Sequence, residues 1–223
     1  MFYLVKCTDS GIVNTIDLSV IEKKRCIVFE EGIQRVEISN YGRFTGKLVF
    51  PTTVEQINIR GIYDSYISNI EVIKNNKRYF SENGILYQKK DQSLLCCPPN
   101  YNKEDVVIPK SVRAVLALAF IYNKNIKSIT FNAPITIYSN AFWQSNIEEL
   151  IFNDNVRIDI NAFAYAKGLS ALYFNKNVIN VDGHLKNAFW ENTKLNSIQY
   201  KNERFILPDI SAMQDIIEGM GES

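Results

Sequence analysis

The sequence holds one histidine, His184, in Asp182-Gly183-His184-Leu185. Any Ser/His/Asp or Cys/His catalysis would have to pass through it, and a metal site built on two imidazoles has no second ring to use. No serine elbow, phosphate loop or dinucleotide fingerprint accompanies it, so the expectation is a solvated side chain in an outward bulge. Glu148 with Glu149, or Asp154 with Asp159, offer the paired carboxylates that glycoside cleavage needs. Adjacent strand residues point to opposite faces, however, and acidic pairs are common on wet surfaces. Four cysteines, Cys7, Cys26 and the adjacent Cys96-Cys97, make neither a disulfide framework nor a metal-ligand spacing. Cys96-Cys97 closes a strand before Pro98-Pro99, with one thiol expected inside and one outside in preference to a vicinal disulfide. The residues therefore point to no catalytic group, no metal and no cofactor.

The elements that would position a site belong to an ordinary globular chain: 223 residues, 46% hydrophobic and 22% charged. A net charge of +1, with no Lys/Arg cluster standing out along the sequence, argues against nucleic acid as a partner. Lys6 is followed by the polar Thr8-Asp9-Ser10, where a signal peptide needs a continuous apolar segment. No apolar run approaches the roughly 18 residues of a membrane span. No membrane insertion is expected. The sequence as given reads as cytoplasmic, and as cell-surface or secreted if the reading frame extends upstream of Met1.

A period organises the chain. Ala-Phe occurs at Ala119-Phe120, Ala141-Phe142, Ala162-Phe163 and Ala188-Phe189. Each is followed by an apolar-x-x-apolar-x-aromatic cluster: Ile126/Ile129/Phe131, Ile147/Leu150/Phe152, Leu169/Leu172/Phe174 and Leu195/Ile198/Tyr200. The closing aromatics step by 21, 22 and 26 residues. A weaker trace runs back through Val106/Ile108, Ile67/Ile70/Val72, Val54/Ile57/Ile59, Ile33/Val36/Ile38 and Val13/Ile16/Leu18, with an irregular 13-residue step from Ile59 to Val72 and a 36-residue step to Ile108. The longer gap leaves room for a hairpin of residues 84–88 and 93–96 around Lys89-Lys90-Asp91-Gln92. The pattern predicts a solenoid, because one such coil cannot bury its own face and stacked coils make a parallel sheet over a shared core. Ala-Phe then lies on the return path, where the small alanine lets a short helical turn approach the core and the phenylalanine stacks on its counterpart.

The run Val-Val-Ile-Pro-Lys-Ser-Val-Arg-Ala-Val-Leu-Ala-Leu-Ala-Phe at 106–120, repeated in weaker form at each later Ala-Phe, resembles the BspA-type leucine-rich repeat of bacterial proteins. Asn83-Gly-Ile-Leu-Tyr87 and Leu94-Leu95-Cys-Cys-Pro98 resemble the insert often seen between such repeats. The resemblance covers residues 67–200 well and the first 60 poorly. Asn132, Asn153 and Asn175 stand where the family often has proline, and glycine is missing ahead of most Ala-Phe pairs. Those asparagines are expected to close Asx-type turns on nearby backbone amides. What the family implies is an α/β leucine-rich-repeat solenoid, with a parallel sheet on one face, loops and short helical turns on the other, and an inserted hairpin. It further implies a recognition scaffold, in some members a cell-surface adhesin, with no catalytic residue to carry over.

The expected organisation is one solenoid domain over 1–223: divergent coils at 1–79, the hairpin insert at 80–105, regular repeats at 106–201 and a helical cap at 202–223. In the last segment Asp209 is placed to cap a helix with an Ile210, Met213, Ile216 and Ile217 stripe. A ligand surface would lie on the outward residues of the strands: Ser128 and Thr130, Glu149 and Ile151, Ala171 and Tyr173, Ser197 and Gln199, with Arg35, Glu37, Gln56 and Asn58 continuing the row. Ile151 beside Tyr173 has the composition of a modest hot spot or of two singly exposed apolar groups. Trp143 and Trp190, each directly after Ala-Phe, pack along one edge or form an exposed pair suited to a sugar or protein. Thr130, Glu149, Ile151, Tyr173, Gln199, Trp143 and Trp190 are thus the candidate partner-binding residues. The expected function is a non-enzymatic protein-binding scaffold, or alternatively an exported carbohydrate- or host-surface-binding adhesin. The sequence specifies neither the partner protein nor the oligomeric state.

Overall fold

Glu-Leu-Ile-Phe and Ala-Leu-Tyr-Phe bury alternate side chains, and in the computed structural model each such run is a strand of a parallel sheet. The structure describes residues 2–6, 12–16, 25–38, 44–58, 60–63, 65–180 and 185–221. The chain divides into two compact units, Met1–Asn102 and Lys103–Ser223.

In the first unit β1 (Phe2–Val5), β3 (Cys26–Phe29), β5 (Lys47–Phe50) and β7 (Asn69–Val72) make one parallel sheet, while β2 (Ile12–Ile16), β4 (Arg35–Ile38) and β6 (Gln56–Asn58) make a second. The chain visits each sheet once per coil. This resolves the irregular step in the sequence trace, which follows β4 and β6 and then jumps to β7 on the other sheet. Within the first sheet the paired rows reach Phe29, Phe50 and Val72, at steps of 21 and 22 residues. Arg35, Glu37, Gln56 and Asn58 consequently stand on the β2–β4–β6 sheet and do not continue the row of Thr130 and Ile151. Ile27, Leu48, Ile70, Phe29 and Phe50 fill the core, with the two rings stacked at 4.9 Å.

The insert is a three-stranded antiparallel meander, β8 (Tyr79–Glu82), β9 (Ile85–Gln88) and β10 (Ser93–Cys96). The expected hairpin is its second half. Asn83 and Gly84 have φ of 53° and 86°, so a two-residue mirror-image turn joins β8 to β9, the turn whose twist suits an antiparallel pair. Both Cys96 and Cys97 are buried, which corrects the one-in, one-out expectation. A bulge between Leu94 and Cys96 resets the alternation, so that Cys96 opposes Leu86 and the strand ends there. Burial pushes the Cys96 thiol up to about 12 and raises Cys97 well above its ordinary value. The two thiols are not joined.

In the second unit β11 (Asp105–Ile108), β13 (Ser128–Phe131), β15 (Glu149–Phe152), β17 (Ala171–Phe174) and β19 (Ser197–Tyr200) form the expected front sheet in parallel, and β20 (Glu203–Ile206) adds to β19 antiparallel. Phe131, Phe152, Phe174 and Tyr200 pair in register and are buried, as the repeat predicts. The opposite side also carries a second parallel ladder, β12 (Ala114–Val115), β14 (Ile135–Ile137), β16 (Val156–Ile158) and β18 (Val178–Asn180).

The Ala-Phe turns form the third side. Within a turn, Ala141 N bonds Tyr138 O, Trp143 N bonds Asn140 O and Ser145 N bonds Phe142 O at 3.0–3.1 Å. Between turns, Phe120 N donates to Ala141 O, Phe142 N to Ala162 O and Phe163 N to Ala188 O at 2.8–2.9 Å. Leu118, Asn140 and Asn161, each just ahead of the alanine, have φ of 63°, 58° and 58°. Glycine enters this left-handed region freely and Asn more readily than most residues, which accounts for Asn in the place of a glycine. Phe120, Phe142, Phe163 and Phe189 stack in one column at 4.8, 5.3 and 4.9 Å, and Phe131, Phe152 and Phe174 in another at 5.0 and 5.4 Å.

The helix α1 (Ala212–Gly221) follows Asp209, whose carboxylate accepts from Ser211 N at 2.7 Å and from the Ser211 hydroxyl. Those bonds hold its pKa below the usual value. Met213 is buried and Gln214 Oε1 accepts from Leu185 N at 2.7 Å, so the helix packs on the turn at 185–189. No helix among the described residues is long and apolar enough to cross a membrane.

Candidate functional site

Parallel pairing in perfect register turns each position of the repeat into a straight row across the front sheet. Val106, Ile129, Leu150, Leu172 and Ile198 face inward, as do Ile108, Phe131, Phe152, Phe174 and Tyr200. The residues between them face out. One outward row is Val107, Thr130, Ile151, Tyr173 and Gln199, prolonged through the β19–β20 pairing to Arg204. Its neighbour is Asp105, Ser128, Glu149 and Ala171, which runs on through the buried Ser197 to Ile206. At about 4.8 Å per strand the five parallel strands span roughly 19 Å.

Thr130, Ile151, Tyr173 and Gln199 therefore come together, with Glu149 one row over. All five are half-buried, because each side chain is flanked by the same position of the coils on either side. Val107 and Ile206 are exposed, at 62% and 69%, and extend the apolar content of the face beyond the residues singled out in the sequence. Val107 was legible between the inward Val106 and Ile108; Ile206 was not, because β20 belongs to no repeat.

The N-terminal flank of the face is tied from coil to coil by the Lys127–Glu148 ion pair and by Ser170 Oγ donating to Glu148 O at 3.3 Å. The C-terminal flank carries an amide ladder. Asn153 Nδ2 donates to Asn132 Oδ1 at 2.7 Å and Asn175 Nδ2 to Asn153 Oδ1 at 2.6 Å. These side chains bond one another across coils, which corrects the expectation of local Asx turns.

Trp143 and Trp190 stand on the Ala-Phe turns and not on the front sheet. They are not a simple pair. Tyr165 lies between them, edge-on to Trp143 at 4.8 Å and tilted to Trp190 at 5.2 Å. The signal was available in the sequence: Ala164 follows Ala162-Phe163 where the neighbouring coils have Trp, and Tyr165 fills the vacated space from the next position. Trp143 is half-buried in this ladder and Trp190 is 52% exposed at its end.

The acidic pairs do not assemble. Glu148 precedes its strand and pairs with Lys127, Glu149 faces out from the sheet, and Asp154 Oδ1 accepts from Asn155 N at 2.8 Å. His184 lies outside the described residues. Among the described residues no three His, Cys, Asp or Glu side chains converge in a way that could hold a metal.

The coil architecture is shared with solved bacterial structures. The pneumococcal vaccine antigen PcpA aligns over 98% of this chain and 65% of its own, with a TM-score of 0.59 and 17% identity. A leucine-rich cell surface protein from Faecalibacterium prausnitzii aligns over 90% of this chain and 60% of its own, with a TM-score of 0.53 and 15% identity. The chain spans less than two thirds of either, and at these identities the likeness is one of fold. No curated protein matches the chain. Leucine-rich repeat proteins are generally non-enzymatic scaffolds for protein interaction or surface attachment. Residues 97–210 match the BspA-type leucine-rich repeat region in six copies, and the chain belongs to that family.

Proposed function

We propose that the chain is a non-enzymatic protein-binding module that presents the front sheet of its second unit to a macromolecular partner. The observation that carries this reading is the row Val107, Thr130, Ile151, Tyr173 and Gln199, in which two apolar side chains and one aromatic sit among polar neighbours on a rigid sheet. Rigid aromatic and aliphatic anchors bordered by polar groups are what concentrates binding energy at protein interfaces. Nothing in that row activates a nucleophile or moves a proton; its chemistry is complementarity.

The test is a photo-crosslinking amino acid at position 173 and, as a control, at Arg157 on the opposite ladder. A discrete protein adduct at 173 that disappears on Ile151→Asp with Thr130→Asp, in a chain of unchanged circular dichroism, supports the reading. Adducts that form equally at both positions, or that survive the double substitution, overturn it.

A second reading, an exported surface adhesin, draws on the two solved neighbours, a vaccine antigen and a cell surface protein. Its binding group would be the Trp143–Tyr165–Trp190 ladder, where exposed indole is available to a sugar face. Trp190→Ala with intact binding to host glycans would remove that group from consideration.

A further inference from the structure

The first unit carries a surface of different chemistry. Tyr79 and Gln88 are the last paired residues of β8 and β9, and beyond them Lys89 N donates to Arg78 O at 2.8 Å. The hairpin register therefore sets Lys77-Arg78 against Lys89-Lys90 at the open end of the pair. Sequence order hides this cluster; folding assembles it. The four cations, with Tyr79 and Gln88, line a cleft of about 480 Å³ that has no acidic side chain in its lining. Lys77 and Arg78 also border an adjoining cleft of about 610 Å³, whose other walls are Gln34, Thr52, Thr53, Val54, Asn75 and one carboxylate, Glu55.

Like charges placed across two strands cost stability, and a chain of net charge +1 has no general excess of cations to place. The compensation among the described residues is slight. Arg78 pairs with Glu55 at 3.0 Å, but both side chains are more than half exposed and such a pair is worth little. Asp91 accepts from Gln88 Nε2 at 3.2 Å at the rim. The backbone that presents the charges is nonetheless fixed. Buried Asn76 donates to Pro51 O, Thr52 O and Val54 O at 2.9–3.1 Å and accepts from Arg78 N and Tyr79 N at 2.7–2.8 Å, while Lys89 Nζ donates to Asn76 O at 2.6 Å. A cationic cluster on a pre-ordered loop binds an anion without a large ordering cost.

We propose that these joined clefts bind an anionic polysaccharide. The cations match its sulfates or carboxylates, and the Gln34 and Asn75 amides of the second cleft match its hydroxyls, the Thr52 and Thr53 hydroxyls being engaged by Glu31 and Ile33 O. The lining offers little to other polyanions. Its aromatic, Tyr79, is 8% exposed and leaves no ring face on which a base could stack. Its apolar side chain, Val54, is 1% exposed and cannot enter a bilayer. The proposal stands independently of the front-sheet reading, since none of its residues lies in the second unit.

The experiment measures binding of heparin, neutral dextran, single-stranded poly(dT) and phosphatidylserine vesicles to the full chain at about 0.15 M salt. Heparin is expected to bind most tightly and to weaken as salt rises. Lys77→Gln with Lys90→Gln, which leaves the Lys89–Asn76 bond in place, should weaken it about fivefold or more, through two lost ionic contacts, and leave the melting temperature equal or higher. The charge-matched control Lys167→Gln with Lys176→Gln should change it less than about twofold. No heparin binding, equal losses in the two doubles, tighter binding of poly(dT) or vesicles, or a cleft variant that melts below the parent would each overturn the proposal.

Discussion

The two units build the same coil with different turns. In the second, every return path carries Ala-Phe, and the four phenylalanines stack in an unbroken column. In the first, glycine more often stands where backbones nearly touch: a Cβ on Gly61 would lie 1.8 Å from Ile38 O and one on Gly46 2.4 Å from Arg25 O, against 2.7 Å from Asn146 O at Gly168 in the second. Among its described residues the aromatic stacking between coils is the Phe29–Phe50 pair, and a buried asparagine, Asn76, holds a turn through five backbone bonds, where buried Asn123 and Asn192 of the second unit accept from turn amides in the same way. A coil can thus be closed by repeated side-chain shape or by individually tailored backbone contacts. The first leaves a strong period in the sequence and the second a weak one.

The sharpest test of that contrast removes a ring from each unit. Phe152→Ala should cost about 3–5 kcal/mol, as for any buried phenylalanine. Phe152 stacks on both sides whereas Phe50 stacks only on Phe29, and each such contact adds about 0.5–1.5 kcal/mol, so Phe50→Ala should cost about 1 kcal/mol less in urea unfolding. Equal losses would show that the columns contribute burial alone, and a Phe152→Ala chain melting with the parent would take that ring out of the core.

The asparagines come next. Asn76→Ala strands three buried carbonyls and two amides and should cost about 3 kcal/mol or more, whereas Asn153→Ala removes two exposed ladder bonds worth about 0.5–1.5 kcal/mol each. Chemical denaturation that ranks them the other way would refute the tailored-turn account of the first unit. Smallest is the turn itself. Gly61→Ala should cost about 1–3 kcal/mol by overpacking, and the reciprocal Ala141→Gly only about 0.5–1 kcal/mol by added chain entropy. Thermal melts in which both are silent would mean that the close approach at Gly61 relaxes freely.

How far the fold could be read follows from the same contrast. Four front strands of the second unit, β13, β15, β17 and β19, were legible because a leading apolar residue, as in Ile126/Ile129/Phe131, marks each of them, whereas β11 has Lys103 at that position. In the first unit the matching positions ahead of Ile27/Phe29 and Leu48/Phe50 are Lys24 and Thr45, so those strands went unmarked and the trace settled on β4 and β6 instead. The second ladder escaped notice because strands as short as Ala114–Val115 and Ile135–Ile137 show too few alternations to register. Of the candidate face, the rows were readable from alternation alone, while Ile206 and the cation cleft depend on antiparallel partners that no period announces. The β8 strand was within reach, since Asn83-Gly84 between two apolar runs is a strong hairpin signal.

The amide ladder along Asn132, Asn153 and Asn175 has a direction: Asn153 gives its hydrogen to the earlier coil and takes one from the later, with Asn132 the accepting end and Asn175 the donating end. A tandem copy of the Asn153 coil, spliced in beside it, would find a donor above and an acceptor below already waiting. Asn76, whose five partners lie at fixed and unlike places, permits no such splice. The second unit is in this sense open to gene duplication by whole coils, whereas the first can change only residue by residue.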